Sequence, residues 1–325
     1  IELLIDVALL GFLVLIAIVA IRMLDLFGVV ILFGVYSLLT AVLFMNLDAV
    51  DVAFTEAAVG AGVTTVLLLT GLRLTRRWEQ PPRHNPLLSL IVVGITGAAL
   101  VYASLDAPLL GDPNAPVHQH VSPRYIQEGP KEVGMPNMVT AVLASYRGYD
   151  TFGETVVIFT AGLAVLLLLG IQNVPRIPRR GEDSAIQDQL VLKTVVKLLI
   201  PLILLYGLYV QFHGDFGAGG GFQAGVIFAT GFILYDMVFG AADARAVVPA
   251  RWLPRLSALG VLIYGGVGVV SLFAGKAFLD YTVLAHDPVH GQHYGVLLVE
   301  LGVGITVFST VLMIYYALAG RQRQS

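Results

Sequence analysis

The sequence contains no cysteine, and only 13% of its 325 residues are charged. The absence of cysteine excludes disulfide bonds, cysteine-ligated zinc and iron–sulfur clusters held by this chain, so any redox chemistry would reside in other subunits. The formal net charge of -3 is small, and no dense basic run is present, which argues against a nucleic-acid partner. No cofactor and no enzymatic activity are expected from these residues.

Apolar residues, in contrast, make up 57% of the chain, more than a water-soluble domain of ordinary composition can bury. Runs long enough to cross a bilayer predict an all-α, polytopic integral membrane protein with nine transmembrane helices. The predicted helices occupy residues 2–21, 26–46, 51–71, 87–105, 152–170, 191–211, 217–239, 254–275 and 294–319.

The basic residues of the connecting loops predict the orientation, because they collect on the cytoplasmic side of short connections. If the N-terminus lies outside, most arginines fall on the inner side, and the outer side receives only Arg124, Lys131, Arg147 and Lys276. The sequence therefore predicts an outer N-terminus, an inner C-terminus and location in a prokaryotic cell membrane.

Two polar, proline-broken stretches, 73–86 and 172–189, divide the predicted helices into three units. They predict a three-helix domain at 1–80, a two-helix domain at 81–185 and a four-helix domain at 186–325. The long outer 106–150 segment is too polar to span a membrane and too rich in proline for one long helix.

The stretch 211–240, QFHGDFGAGGGFQAGVIFATGFILYDMVFG, joins a polar glycine-dense turn directly to a spanning helix. His213 and Asp215 would therefore lie at a membrane boundary. The run that includes Gly219, Gly220 and Gly221, followed by Phe222, allows backbone angles and close helix approach that side chains forbid. A nucleotide-binding glycine loop is the alternative, but such a loop follows a strand and opens a soluble helix.

Glu56 lies about two turns into the third predicted helix, among Ala, Val, Gly and Thr. A carboxylate there costs about 2–3 kcal/mol unless it is paired, hydrated or protonated, which makes it a candidate proton carrier. Alternatively it stays hydrated near the outer surface or caps a neighbouring helix. Asp48 and Asp51, at the loop itself, are interpreted as solvated helix caps.

Arg147, Asp150 and Glu154 cluster where the fifth predicted helix begins. Asp150 and Glu154 share one face if the turn is helical, and Arg147 can neutralise one of them, as at the entrance of a relay. A surface salt bridge with an N-capping residue is the alternative, favoured for Asp150, whereas Glu154 is favoured as functional.

The last unit adds three charged candidates within spans, Lys197, Asp236 and Glu300. Lys193 and Lys197 share a helix face and are expected to bind lipid phosphates or the carboxylates of a neighbouring subunit, unless they extend to the cytoplasmic interface.

His286, His290 and His293 follow an H-x3-H-x2-H spacing that is weak evidence for a metal site. They are interpreted as residues of a solvated loop, and no metal site is expected.

Three stretches resemble known membrane proteins. HGDFGAGGGFQAGVIFA at 213–229 resembles the B subunit of Mrp-type multisubunit sodium/proton antiporters. LFGVYSLLTAVLFMNLDAVDVAFTEAAVGAG at 32–62 resembles the small domain at the C-terminal end of the A subunit of these antiporters, also found as a separate protein in membrane-bound hydrogenases. NMVTAVLASYRGYDTFGETVVIFTAGLAVLLL at 137–168 resembles the next domain in that series.

The large antiporter-like subunits of such complexes carry a lysine–glutamate proton pathway, which is not found in these residues. The resemblance therefore implies an accessory or coupling subunit. The implied partners are other antiporter subunits, membrane lipids, sodium and protons. The alternative is the equivalent ion-translocating module of a redox-driven complex such as a membrane-bound hydrogenase. A scaffold whose charges only fix packing is the third possibility.

Overall fold

A computed structural model describes residues 2–80, 86–109, 111–170 and 189–322. Within these ranges nine helices are long and apolar enough to cross a membrane, and no strand is present. The predicted all-α polytopic fold is thereby confirmed. In chain order the nine helices are α1 Glu2–Arg22, α2 Leu26–Asn46, α3 Val50–Leu72, α4 Pro86–Leu105, α5 Gly148–Leu169, α6 Leu190–His213, α7 Gly221–Phe239, α8 Leu253–Phe273 and α9 Pro288–Gln322.

Helix α9 is the centre of the fold, with α5, α7 and α8 packed around it. Glycine permits this close packing: a β-carbon on Gly225 would lie 2.6 Å from the backbone oxygen of Gly304, and one on Gly260 would lie 2.4 Å from that of Gly302. Such contacts replace a hydrophobic driving force that is weak between helices in lipid. A buried hydrogen bond of 2.8 Å between Ser257 and Thr310 adds to the α8–α9 contact.

Helices α1, α2 and α3 form a second group that contacts the first through α3. At the start of α2, the Asp25 carboxylate accepts from the backbone N–H of Phe27 and pairs with Arg77, with Nη2 at 2.7 Å from Oδ2. Helix α4 differs from the other eight, since none of its residues is buried by the described chain.

The 106–150 segment forms short helices at Pro116–Gln119, Ser122–Gln127 and Gly129–Glu132, as its prolines predict. It then continues into a helical turn at Met138–Thr140, in which Thr140 is buried, and a π-helical turn at Ala141–Tyr146. Two buried tyrosines anchor this end: Tyr281 donates to the backbone oxygen of Ala144 at 2.8 Å, and Tyr264 donates to that of Gly148 at 2.7 Å.

Three helix starts differ from the sequence prediction by four residues or more. Helix α7 begins at Gly221 rather than 217, because Gly220 has φ of 110°, a left-handed conformation that cannot continue a right-handed helix. Helix α5 begins at 148 rather than 152, and α9 at 288 rather than 294, since polar residues extend each helix beyond its apolar run.

The predicted domain boundaries and orientation stay predictions. Parts of both dividing stretches, with Arg83, Arg176, Arg179 and Arg180, lie outside the described residues.

Candidate functional site

The glycine turn between α6 and α7 packs directly against Glu300 of α9. A β-carbon on Gly221 would lie 1.9 Å from the backbone oxygen of Glu300, and one on Gly220 would lie 2.9 Å from its Oε1. A β-carbon on Gly214 would lie 3.2 Å from Oε2 of the same side chain. Glycine at these positions therefore brings the α6–α7 turn and a membrane-embedded carboxylate into contact.

The turn itself is folded tightly onto the end of α6. The backbone N–H of Gly220 donates to the carbonyl of Val210 at 3.0 Å, and a β-carbon on Gly219 would lie 2.6 Å from the same oxygen. His213 stacks on Tyr209, with ring centroids 4.9 Å apart, and its Nε2 approaches the space above Gly217.

Asn137 of the 106–150 segment binds the backbone of this turn. Its Nδ2 donates to the carbonyl oxygens of Gly214 at 3.1 Å and Gly217 at 2.9 Å, and the Thr140 hydroxyl donates to Gly214 at 2.7 Å. Asn137 is buried, so these bonds satisfy polar groups that water does not reach freely.

Asn137 also connects the turn to α3, because its Nδ2 lies 3.4 Å from Oδ1 of Asp51. The interpretation of Asp51 as a solvated helix cap is wrong: the residue capping α3 is Ala49, without a side-chain bond, and Asp51 is half-buried. The sequence could not show this, because the amide that contacts Asp51 is 86 residues away.

His293 joins the same group of residues. Its Nδ1 lies 3.5 Å from Oδ2 of Asp215, and its Nε2 lies 3.3 Å from the carbonyl of Gly134. The interpretation of all three histidines as loop residues is wrong for His290 and His293, which lie in the first turns of α9. His290 pairs with Asp287 at 2.9 Å, at an exposed position.

Glu56 lies half-buried where α3 changes from an α-helical to a π-helical turn, which covers Ala57–Thr64. Its carboxylate and the buried hydroxyl of Ser37 both approach Gly60, where a β-carbon would lie 2.5 Å from Oε1 of Glu56 and 2.6 Å from Oγ of Ser37. Single π-turns inside α-helices occur frequently at functional sites.

The residue beside Glu56 also contacts α7. The Gln223 amide donates to the Thr55 hydroxyl at 2.8 Å, and Phe222 packs against the buried core around α9. The structure thus gathers the glycine turn, Glu300, Asp215, Asp51 and the α3 segment of Glu56 at one end of the helix bundle.

The other predicted candidates lie at the start of α5 and on α5, α6 and α7. Arg147 pairs with Asp150 through Nε at 2.6 Å from Oδ2, both largely exposed. Glu154, one turn further along α5, is exposed and forms no hydrogen bond or ion pair with the described residues.

Lys197 and Asp236 lie towards the opposite end of the bundle. The Lys197 ammonium is 5.9 Å from the centroid of the Phe239 ring. Asp236 is buried near Tyr316, whose ring lies 5.0 Å from the guanidinium of Arg245.

Sequence reasoning missed Asn137, Thr140, Gln223 and the position of His293 as parts of the site. His293 and Glu300 are seven residues apart, a spacing that puts both on one face of a helix. The predicted helix began at 294 and excluded His293, so this spacing did not indicate a shared face.

No group of three or more His, Cys, Asp or Glu among the described residues is arranged to hold a metal ion. The carboxylates and the imidazole of the site are groups that can accept and release protons.

Three family models match the chain in sequence. Residues 11–77 match the MbhD family and residues 82–176 match the MbhE family, which are the D and E subunits of MBH. Residues 191–313 match the MnhB family, described as a domain related to the MnhB subunit of the Na+/H+ antiporter.

Individual proteins and structures agree with these matches. The chain is 28% identical to a protein of Rhizobium meliloti described as the A/B subunit of a K+/H+ antiporter, over 89% of this chain and 31% of that protein, so it spans about a third of that relative's length. The Mrp complex from a Dietzia species contains a chain of similar structure, with a TM-score of 0.75 and 28% identity, over 96% of this chain and 34% of that one.

A second solved structure is that of the membrane-bound sulfane sulfur reductase, an archaeal respiratory membrane complex. One of its chains matches this one with a TM-score of 0.55 and 28% identity, over 71% of this chain and 96% of that one. The antiporter protein mnhB2 of Staphylococcus haemolyticus is 33% identical over 41% of this chain and 96% of its own length. The chain is a multi-span membrane protein and belongs to the family of the MnhB subunit of Na+/H+ antiporters.

Proposed function

We propose that this chain is a coupling subunit of a multisubunit monovalent cation/proton antiporter in a prokaryotic cell membrane. The observation that carries the proposal is the continuous similarity, over 89% of the chain, to the A/B subunit of a K+/H+ antiporter. The partners are the remaining antiporter subunits, including large antiporter-like ones, and the cargo is sodium or potassium together with protons.

The intramembrane carboxylates support a role in ion movement rather than in packing alone. Glu56 lies beside a π-helical turn, Glu300 packs on the glycine turn, and Glu154 is exposed within a span. An exposed carboxylate in a spanning helix is costly in lipid, so Glu154 faces another subunit or a water-filled path.

The remaining predicted path residues receive different roles in this proposal. Arg147 and Asp150 neutralise each other at the start of α5, and Lys197 and Asp236 lie nearer the opposite end. We assign Glu56, Glu154 and Glu300 to the path and leave the other four as charges that fix helix ends and subunit contacts.

A second candidate is the ion-translocating module of a redox-driven membrane complex. The similarity to almost the full length of a sulfane sulfur reductase chain favours it, although the TM-score of 0.55 is lower than the 0.75 found for the Mrp complex. The lack of cysteine places any iron–sulfur cluster in another subunit.

Purification of the native complex distinguishes the two candidates. The chain carries an affinity tag, the complex is isolated in mild detergent, and its subunits are identified by mass spectrometry. We expect antiporter subunits without redox proteins. Nickel–iron or iron–sulfur subunits in stoichiometric amount would favour the redox complex, and a chain isolated without partners would contradict both.

A further inference from the structure

His293, Asp215 and Glu300 form a line of neighbouring side chains at the glycine-turn end of the bundle. His293 and Glu300 are seven residues apart on α9, two helical turns on one face, or about 10 Å along the axis. Asp215 belongs to the glycine turn that packs beside Glu300, and its Oδ2 lies 3.5 Å from Nδ1 of His293.

All three residues of this line are half-buried. The side chains of His293 and Asp215 are 34% and 25% exposed, so both reach water. The Glu300 carboxylate packs close to Gly214 and Gly220, where a β-carbon would lie 3.2 Å from Oε2 and 2.9 Å from Oε1 respectively.

A buried amide continues the line past Glu300. Gln211 is 7% exposed, and its Oε1 lies beside Gly304, one turn further along the same face of α9. Its Nε2 has no hydrogen-bond partner among the described residues. An unpaired buried donor costs about 1–3 kcal/mol, and it is suited to bind a water molecule or a carboxylate that moves towards it.

The charged and titratable groups that face this line come from α3, α6, the glycine turn, α8 and α9. They are Asp51 from α3, His213 from the end of α6, Asp215 from the glycine turn, Tyr264 from α8, and Glu300 and His293 from α9, while the His290–Asp287 pair lies one turn outward. Asp51 and Asp215 are both within electrostatic range of Glu300. Three carboxylates held together attract positive charge.

Protons fit the line better than a resident metal ion. An imidazole gains and loses a proton between about pH 5 and 8, whereas its protonated form repels other cations. The proposed function uses Glu56 and Glu300 as single carboxylates and assigns no role to His293.

We propose that His293, Asp215 and Glu300 form the proton entrance of the complex at the glycine-turn end of the bundle. His293 accepts a proton from hydronium on Nδ1, which leaves a water molecule, then passes the proton to Oδ2 of Asp215 and is neutral again for the next proton. Asp215 passes the proton to Glu300, and the carboxylate of Asp215 is restored. This inference rests on the proposed antiporter function.

The test uses the complete complex in membrane vesicles, with cation-driven proton movement measured by a pH-sensitive dye from acidic to alkaline pH. His293→Gln retains an amide hydrogen bond to Asp215 but cannot exchange a proton. We expect its rate to fall about tenfold at alkaline pH, where protons are scarce, and less at acidic pH. His290→Gln, a matched change one turn outward, should leave the rate and its pH profile unchanged.

A small buffer distinguishes proton exchange from a structural role. Added imidazole should restore much of the rate in His293→Gln, because the lost group is partly exposed, and should not restore Glu300→Gln. Subunit content is measured on the same preparations. If His293→Gln does not assemble, Asp215→Asn tests the same contact and should show the same loss at alkaline pH.

The possible failures are distinguishable. Wild-type rate and pH profile in assembled His293→Gln would overturn the proton entrance while leaving the proposed function intact. A uniform loss at every pH that imidazole does not restore would also overturn it, because it would indicate packing alone. An inactive wild-type complex would overturn the proposed function together with this inference.

Discussion

Glu56 shows how a single residue carries a testable part of the proposed mechanism. Its carboxylate and the Ser37 hydroxyl converge on Gly60, where a β-carbon would lie within 2.6 Å of both. The π-helical turn that follows Glu56 shifts the register of α3, so the residues after it face α2 and α9 differently from those of an uninterrupted helix.

Replacing Glu56 separates a proton-carrying role from a packing role. Glu56→Gln keeps the shape and removes the ionisable group, so we expect at least about a tenfold loss of transport with unchanged assembly. Glu56→Asp keeps the charge and should retain intermediate activity. Transport in vesicles, with subunit content checked, measures both, and Glu79→Gln at an exposed loop is the control. Full activity in Glu56→Gln would leave Glu56 as a packing residue.

At the scale of helices, the apolar runs were sufficient to predict the fold. They predicted the candidate site only in part. Runs of spanning length predicted all nine helices of the described residues, because hydropathy alone decides which segments cross a bilayer. The glycine turn and Glu300 were also evident as unusual residues within spans.

The contacts that assemble the site could not be predicted from local patterns. Asn137 reaches Gly217 across 80 residues, and His293 reaches Gly134 across 159. Polar residues at helix starts, such as those before 294, extend a helix without adding hydrophobicity, so the hydropathy pattern placed His293 in a loop.

The contact between α7 and α9 depends on Gly221. A β-carbon there would lie 1.9 Å from the backbone oxygen of Glu300, and a backbone atom cannot rotate away. Gly221→Ala should therefore force the helices apart and cost about 1–3 kcal/mol of stability. Gly266→Ala in α8, where nothing lies within 4 Å, is the matched control. Equal thermal denaturation midpoints for both variants and the wild-type complex would contradict the close contact.

The stability of the 106–150 segment is expected to depend on pH through the ionisation of Glu132. The Tyr146 hydroxyl and then Arg124 bind its carboxylate and hold the pKa of Glu132 below its ordinary value of 4.5. Burial, and then the bond to Glu132, raises the pKa of Tyr146 to about 12. Because the pKa of Glu132 is lower in the folded state, the stability that its charged carboxylate contributes is complete above pH 4.5. This contribution disappears as the pH falls through the lowered pKa of the folded state.

Protease resistance of this segment measures the effect. Glu132→Gln should increase cleavage within 106–150 at neutral pH, and the difference from wild type should shrink in acid. Glu128→Gln, which removes only an exposed pair with Lys131, should have little effect. A difference that stays constant from neutral to acid pH would show that the charge of Glu132 is not the cause.

For the whole molecule, the exposed surfaces indicate assembly. Helix α4 buries none of its residues, and Glu154 is exposed within a span, so both depend on lipid or on other subunits. These are the surfaces at which the remaining subunits of the proposed complex would pack.

The absence of cysteine allows a direct test of orientation. Glu128→Cys in the 106–150 segment, where the side chain is 47% exposed, and Arg251→Cys at an exposed position before α8 introduce single thiols. With the predicted outer N-terminus, a membrane-impermeant maleimide should label the first variant in right-side-out vesicles and the second in inside-out vesicles. The reverse labelling pattern would mean that the N-terminus lies inside.

The most direct test of the coupling role compares three sets of proteoliposomes under the same imposed cation gradient. They contain the complete complex, the complex prepared without this chain, or this chain alone. We expect cation/proton exchange only from the complete complex, since the chain supplies the carboxylates Glu56, Glu154 and Glu300 of the proposed path. Robust exchange by the chain alone, or undiminished exchange by an assembled complex without it, would contradict the account.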